Sequence, residues 1–247
     1  MKKRLALIVI SLDECFGSKG FSGGGHKVTK NLILELIKSN LFEIDIFCKK
    51  SAIGSFEGIN LITVLNKKTF SKELDEKLKA QTYDYVLSSD ILLPNVNNLV
   101  HSNSSKFKSK NGKNVLLQQV LKIYNAKKIK AQEKCFENNN KALFTVSERL
   151  KKDYVGNYGL DESKVFVCHP AVDDYFEFAS PILKDEFTIG SIAGGGLNKG
   201  GYLLLLALKR LSKTCKLKAK IISDIKLLSY WKEYIHYLDI LIELLPN

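Results

Sequence analysis

With 247 residues, 45% of them hydrophobic and 26% charged, the chain is long enough for one large globular domain or two modest ones. No apolar run reaches the roughly 18 residues that a membrane span needs, and five cysteines without a C-x-x-C spacing argue against a disulfide framework or a zinc site. The net charge of +12 fits a solvated lysine-rich surface, an anionic substrate, an anionic membrane face or nucleic acid.

Strands and helices alternate in the sequence pattern from the N-terminus onward. Apolar runs with β-branched members predict strands at residues 4–10, 41–47, 60–65, 83–87, 98–101, 142–146 and 164–168. Helices are predicted at residues 26–40, 69–80, 115–136 and 147–159, and a loop rich in glycine and serine at residues 18–25. This alternation predicts an α/β domain built on a parallel sheet.

Residues 105–134 are the most basic stretch, with nine lysines and one acid, Glu133. The later part of the stretch has helical periodicity. Its predicted apolar side consists of Val115, Leu116, Val120, Leu121, Ile123 and Tyr124. Such a helix is either a plain solvated helix or one that favours anionic lipid.

We expect a first domain over residues 1–175, a linker over 176–186 and a partial second domain over 187–247. In the second domain the pattern restarts. It predicts strands at 187–192, 217–222 and 240–245 and helices at 200–212 and 225–237, with residues 203–206 in the core.

Two glycine-rich turns are candidate phosphate sites. Lys199 and Gly200 lie in a glycine-rich turn between a strand and a helix, where backbone N–H groups and a cation would face a phosphate; the alternative is a solvated turn lysine. Gly24 and Gly25 precede the first long helix, and their alternative is a merely flexible loop. The turn with Gly24 and Gly25 is not a Walker A loop and does not fit a dinucleotide fingerprint.

His101 directly follows a predicted strand and precedes a serine. A histidine at that position would contact a substrate hydroxyl or transfer a proton, although an ordinary surface histidine fits equally well. The histidines show no H-x-x-x-H spacing, so the sequence does not predict a metal site.

Four segments in this order, GGGH, LVHSN, ALFTVSERLKKDYVGNYGLDESKVFVCHPAVDDYF and FTIGSIAGGGLNKGG, resemble the retaining, nucleotide-sugar-dependent glycosyltransferases of the GT-B fold, specifically family 4. The resemblance implies one complete Rossmann-like N-terminal domain on the acceptor side and a partial Rossmann-like C-terminal domain for the nucleotide sugar, facing a cleft. The expected reaction transfers a hexose from a UDP- or GDP-sugar to a glycan or glycolipid acceptor with retention of configuration, as in bacterial polysaccharide biosynthesis.

The same resemblance assigns roles to individual residues. His101 would be catalytic beside the donor sugar, while Gly24, Gly25, Lys199 and Gly200 would bind the donor diphosphate. The residues expected to line the cleft are Ser147, Glu148 and Asp173. Neither a cofactor nor a metal is implied, and the protein would be cytoplasmic, with residues 105–134 in peripheral contact with the anionic inner face of the plasma membrane.

The chain departs from the family pattern at two places. Ala193 or Gly194 stands where the family has an arginine, and no pair of glutamates separated by seven residues follows the partial second domain. We therefore expect either a fragment of a longer protein or a truncated chain, with an oligomer formed through the incomplete domain. The alternative function is a truncated or degenerate GT-B-like partner subunit or binding module without catalysis. Nucleic acid is not an expected partner, because only the charge suggests it.

Overall fold

The structure, a computed structural model, describes residues 2–16, 24–66, 68–89, 91–110, 115–137, 141–171, 188–192, 201–214, 218–223 and 240–244. The chain divides into two compact units, Met1–Asp174 and Tyr175–Asn247. The expected linker at 176–186 and the expected helix at 225–237 lie outside the described residues.

Seven strands and six helices of the first unit are described. The strands are β1 (Lys3–Ser11), β2 (Phe42–Lys50), β3 (Leu61–Val64), β4 (Tyr85–Ser89), β5 (Asn97–Val100), β6 (Leu143–Thr145) and β7 (Val165–Val167). The helices are α1 (Leu12–Phe16), α2 (Gly24–Ser39), α3 (Phe70–Ala80), α4 (Ser105–Lys110), α5 (Val115–Phe136) and α6 (Glu148–Tyr158). All seven predicted strands are confirmed, each within a few residues of its expected limits.

The strands form a single parallel sheet in the order β3-β2-β1-β4-β5-β6-β7. The chain first builds outward from β1 to β3 and then returns to the other side of β1 to add β4 and the later strands. The direction of winding therefore reverses between β1 and β4, as in doubly wound Rossmann-like domains.

Strand β1 is buried on both faces, which its continuous apolar sequence requires. Leu7 and Val9 pack in the cluster that contains Ile33 of α2. Ile8 points to the opposite face and packs in the cluster that contains Phe70 of α3. Because side chains alternate along a strand, β1 holds helices against both faces of the sheet.

Helix α1 was not predicted, and the expected loop at 18–25 extends too far, because Gly24 and Gly25 belong to the first turn of α2. Glycine is unfavourable inside a helix, but the first turn tolerates it, since the N–H groups there have no intrahelical partner in any case.

Helix α6 has the predicted ends. Ser147 is its N-cap in extended backbone conformation, and its Oγ accepts a hydrogen bond from the backbone N–H of Leu150 at 3.3 Å. Gly159 ends the helix in the left-handed conformation, with φ 63°.

The predicted apolar side of α5 is wrong at three positions, whereas Leu121 is half-buried. Val120, Ile123 and Tyr124 are exposed by 54%, 78% and 77%. The inward face carries polar residues whose hydrogen bonds are made: the Nδ2 of Asn125 donates to the carbonyl of Leu121 at 2.9 Å. Because amides occupy positions where an amphipathic pattern expects apolar side chains, the period alone selects the wrong face.

Helix α4 is attached to α6 by a buried carboxylate. Asp153 is 8% exposed, and its two oxygens accept hydrogen bonds from the backbone N–H of Ser104 at 2.8 Å and from the Ser104 hydroxyl at 2.7 Å. Asn157 donates to the same carboxylate at 2.7 Å. This contact fixes the start of α4 against the C-terminal half of α6.

The described part of the second unit contains three parallel strands in the order β10-β9-β8, which are β8 (Thr188–Ile192), β9 (Lys218–Ser223) and β10 (Ile240–Leu244). Helix α7 (Gly201–Leu211) follows β8. The expectation that residues 203–206 form core is wrong for Leu203 and Leu206, which are 69% and 38% exposed, whereas Leu208 is 1% exposed.

We predict that Asp153→Ala lowers the free energy of unfolding by about 3 kcal/mol, because it leaves the buried donors of Ser104 without their carboxylate. Urea unfolding followed by circular dichroism measures this loss. Asp75→Ala, at an exposed position of α3, is the matched control and should change stability by less than about 0.5 kcal/mol. Equal stability of the two variants would contradict the role of the buried carboxylate.

Candidate functional site

The reversal of winding places three chain segments at one edge of the first unit's sheet. Strand β1 ends at Ser11, β4 ends at Ser89, and His101 directly follows the end of β5. In open parallel sheets, ligands bind beyond the carboxyl ends of the strands, at the point where the strand order reverses. This carboxyl edge is therefore the candidate site.

A chain of hydrogen bonds connects α2, β4 and His101 at this edge. The hydroxyls of Thr29 and Ser89 lie 2.7 Å apart, and Ser89 Oγ lies 3.3 Å from Nε2 of His101. Thr29 and Ser89 are fully buried, at 0% exposure each, while His101 is half-buried. The two buried hydroxyls thus fix the imidazole relative to the N-terminal half of α2.

The start of α2 is fixed to α1 by a second contact. His26 Nε2 lies 2.9 Å from Glu14 Oε2. His26 Nδ1 is buried and makes no hydrogen bond within the described part of the chain. The pair holds α1 beside the first turn of α2, so that both segments following β1 are anchored.

The N-terminus of α2 has the properties of an anion site. Its first turn contains no acidic residue, and its leading N–H groups have no partners within the helix. Gly24 is exposed, and no described atom would lie within 4 Å of a Cβ placed on it. A ligand phosphate would therefore reach the backbone closely beside Gly24 and Gly25.

The segment after His101 is attached to α6. The Tyr154 hydroxyl, which is buried, donates a hydrogen bond to the carbonyl of Ser102 at 3.3 Å. Burial raises the pKa of Tyr154 above its usual value, with the nearby Asp153 adding to the effect, so the hydroxyl stays protonated as a donor at neutral pH.

Of the other predicted site residues, the structure describes two and does not describe three. Ser147 and Glu148 follow β6 at the same edge, but the Ser147 hydroxyl is occupied as the helix cap, and Glu148 is exposed. Asp173, Lys199 and Gly200 lie outside the described residues. The structure thus places His101 and the helix that begins at Gly24 and Gly25 at the same edge of the sheet, connected through Thr29 and Ser89.

Sequence reasoning missed the residues that hold these groups in place, namely Glu14, His26, Thr29 and Ser89. Polar residues at the ends of short strands were a usable signal for Ser89. No spacing rule relates Thr29 to Ser89, because their contact depends on the order of strands in the sheet.

Among the described residues, no group of three or more histidine, cysteine, aspartate or glutamate side chains is arranged to hold a metal ion. Within the same ranges, every helix is too short or too polar to cross a bilayer.

Neither a protein-family model nor a curated protein sequence matches the chain. Solved structures do match it. One is WaaG, a glycosyltransferase involved in lipopolysaccharide biosynthesis, with a TM-score of 0.68 and 12% identity over 98% of this chain and 70% of that one.

Two further solved structures show the same likeness. A glycosyltransferase from Rickettsia africae has a TM-score of 0.59 and 20% identity over 100% of this chain and 69% of its own. Anabaena HepE in complex with UDP has a TM-score of 0.56 and 12% identity over 100% of this chain and 70% of its own. At these identities the likeness is one of fold: the chain has the α/β fold of the GT-B glycosyltransferases, as the sequence motifs predicted.

Proposed function

We propose that the chain is a glycosyltransferase that moves a hexose from a UDP- or GDP-sugar to a glycan or glycolipid acceptor with retention of configuration. The observation that supports this most strongly is the carboxyl edge of the first unit, where the start of α2 and His101 are held together in a GT-B fold. The likeness to a structure that contains UDP adds support for a uridine nucleotide.

The donor diphosphate is the group that this edge would recognise. Partial positive charge at Gly24 and Gly25 favours an anion, and it acts most strongly where negative charge develops on the leaving diphosphate. Lys199 and Gly200 of the second unit are proposed to contribute a second phosphate contact, with the lysine as a point charge.

Retention needs no nucleophile from the protein in this proposal. The bond between the anomeric carbon and the diphosphate oxygen breaks, and the acceptor hydroxyl forms the new bond on the same face of the sugar. The acceptor proton passes to the departing diphosphate. His101 would contact the donor sugar, while Thr29 and Ser89 position its ring.

The finer assignments are parts of the same proposal. They place the chain in glycosyltransferase family 4, with Ser147, Glu148 and Asp173 lining the sugar site and neither metal nor other cofactor taking part. The protein would work in the cytoplasm, peripheral to the inner face of the plasma membrane.

Helix α5 is the proposed membrane contact. Val120, Ile123 and Tyr124 are exposed on the same helix as several exposed lysines, including Lys127 and Lys128. Apolar side chains that enter the lipid interface and lysines that meet anionic headgroups act together in such helices.

We predict that UDP or GDP, or one of their sugars, raises the melting temperature, and that Lys199→Ala weakens this binding about tenfold by removing a phosphate contact. Calorimetric titration measures both effects. Lys213→Ala, an exposed lysine after α7, is the control and should leave affinity unchanged. If no nucleotide or nucleotide sugar binds, the nucleotide-sugar proposal is wrong and the non-catalytic partner subunit is favoured.

We predict that His101→Ala lowers kcat about a hundredfold, whereas Ser89→Ala lowers it less, about threefold to tenfold, because the ring is present but poorly oriented. UDP release from UDP-glucose and GDP release from GDP-mannose, with water as acceptor, provide the assay. Ser55→Ala, an exposed serine, should retain full activity. Wild-type rates in His101→Ala would remove His101 from the reaction.

We predict that the double variant Ile123→Ala, Tyr124→Ala binds phosphatidylglycerol vesicles about tenfold more weakly, because less apolar surface enters the interface. Vesicle co-sedimentation measures this change. Leu41→Ala removes an exposed apolar side chain outside α5, at 64% exposure, and should bind as the wild type does. Equal binding of all three proteins would exclude α5 as the contact.

A further inference from the structure

An acid from α1 lies beside the start of α2, which is the proposed site of the donor diphosphate. Glu14 Oε2 lies 2.9 Å from Nε2 of His26, the residue that follows Gly25. The Glu14 side chain is 50% exposed, and that of His26 is 24% exposed. The first turn of α2 has no acid of its own, so α1 brings a carboxylate to a turn that otherwise lacks one.

A carboxylate at this position opposes the binding of a diphosphate. The start of α2 favours anions through its leading N–H groups and the helix dipole. The negative charge of Glu14 repels the same anions, and the repulsion is stronger than in bulk water because the neighbouring imidazole is partly buried. A group that compensates this charge would therefore strengthen the diphosphate site.

The imidazole of His26 is placed to compensate the carboxylate. An ionised carboxylate only accepts hydrogen bonds, so Nε2 of His26 carries the hydrogen atom in this contact. The other ring nitrogen, Nδ1, is buried and has no hydrogen-bond partner in the described part of the chain. The contact with Glu14 therefore orients the ring, and protonation of the ring would add a positive charge beside the carboxylate.

Further contacts hold α1 in place. The Asp13 carboxylate accepts a hydrogen bond from the backbone N–H of Ala52, in the segment after β2, at 2.7 Å. Lys30 Nζ of α2 lies 5.8 Å from the centre of the Phe16 ring of α1. Because α1 is attached to both of its neighbours in these ways, its position does not depend on the carboxylate–imidazole contact alone.

We propose that His26 is a positioning residue of the donor site, which holds the Glu14 carboxylate and compensates its charge so that the start of α2 accepts a nucleoside diphosphate. This role rests on the proposed function, since the anion is the diphosphate of the donor. His26 acts through Glu14 and does not need to contact the ligand. Its loss should therefore be harmful only while Glu14 is present, whereas a lost structural contact is not repaired by removing the second partner.

The test compares the binding of UDP and UMP, or of GDP and GMP if the wild type prefers guanine, by calorimetric titration of the whole chain. The variants are His26→Leu, Glu14→Gln and the double variant, with circular dichroism to show that each is folded. His26→Leu with Glu35→Gln is the matched control. Glu35 is an exposed acid of the same helix, about 16 Å from its start, so the control has the same net charge as the double variant.

We expect His26→Leu to weaken the binding of the diphosphate about tenfold and that of the monophosphate less, because the second phosphate adds to the repulsion. The double variant should bind the diphosphate within about threefold of the wild type. Glu14→Gln alone should bind it at least as tightly as the wild type does. Removal of Glu35 in place of Glu14 should not restore binding.

A double variant that binds the diphosphate as weakly as His26→Leu does would overturn the proposal, and so would recovery with Glu35→Gln or wild-type affinity in His26→Leu. If His26→Leu does not fold, Glu14→Gln decides alone, because a loss of affinity there would show that the carboxylate supports binding. Binding by the wild type separates the two claims. Its absence would contradict the proposed function and this role together, whereas normal binding with the wrong pattern of variants would contradict this role only.

Discussion

The burial of β1 on both faces is the constraint on which the rest of the first unit depends. A strand with an apolar run from Leu5 to Val9 must be covered by helices on each side, and the parallel sheet around it supplies those helices through its crossover connections. Because the chain adds strands first to one side of β1 and then to the other, the strand order reverses between β1 and β4, which are neighbours in the sheet. Such a reversal opens a crevice at the carboxyl ends of the two strands, and the candidate site lies there.

Hydrogen bonds, rather than apolar packing, order the edge itself. The Thr29 and Ser89 hydroxyls are buried where an unsatisfied polar group would be costly, and each satisfies the other. The Ser89 hydroxyl also lies within hydrogen-bond distance of His101, so the same buried pair positions the imidazole. Asp153 has a corresponding role in α6, where its buried carboxylate fixes the start of α4. In both places a buried polar group determines how neighbouring segments are held.

The sequence predicts the strands well because the fold buries them as continuous apolar runs. It predicts α6 because both end signals are local: Ser147 caps the helix through a hydrogen bond to Leu150, and Gly159 ends it. It fails where the deciding contact lies far along the chain. On α5, Gln132 accepts hydrogen bonds from the backbone N–H of Ser105 and from the hydroxyl of Tyr158, while a periodicity count takes the exposed Ile123 for core. Gly24 resembles a loop residue because glycine is a weak helix former, yet it lies in the first turn of α2. The position of His101 at the end of a strand could be predicted from the local sequence. The contacts of Thr29 and Ser89 could not, because they depend on the order of strands in the sheet.

The proposed function requires that a nucleotide sugar binds at the carboxyl edge between β1 and β4. Nuclear magnetic resonance of protein labelled with ¹⁵N tests this directly, with the His101 imidazole assigned from His101→Gln and the Gly25 amide followed in the same titration. We expect a saturating UDP- or GDP-sugar to shift both signals. A nucleotide sugar that binds while the signals of His101 and Gly25 remain unchanged would contradict the proposed site.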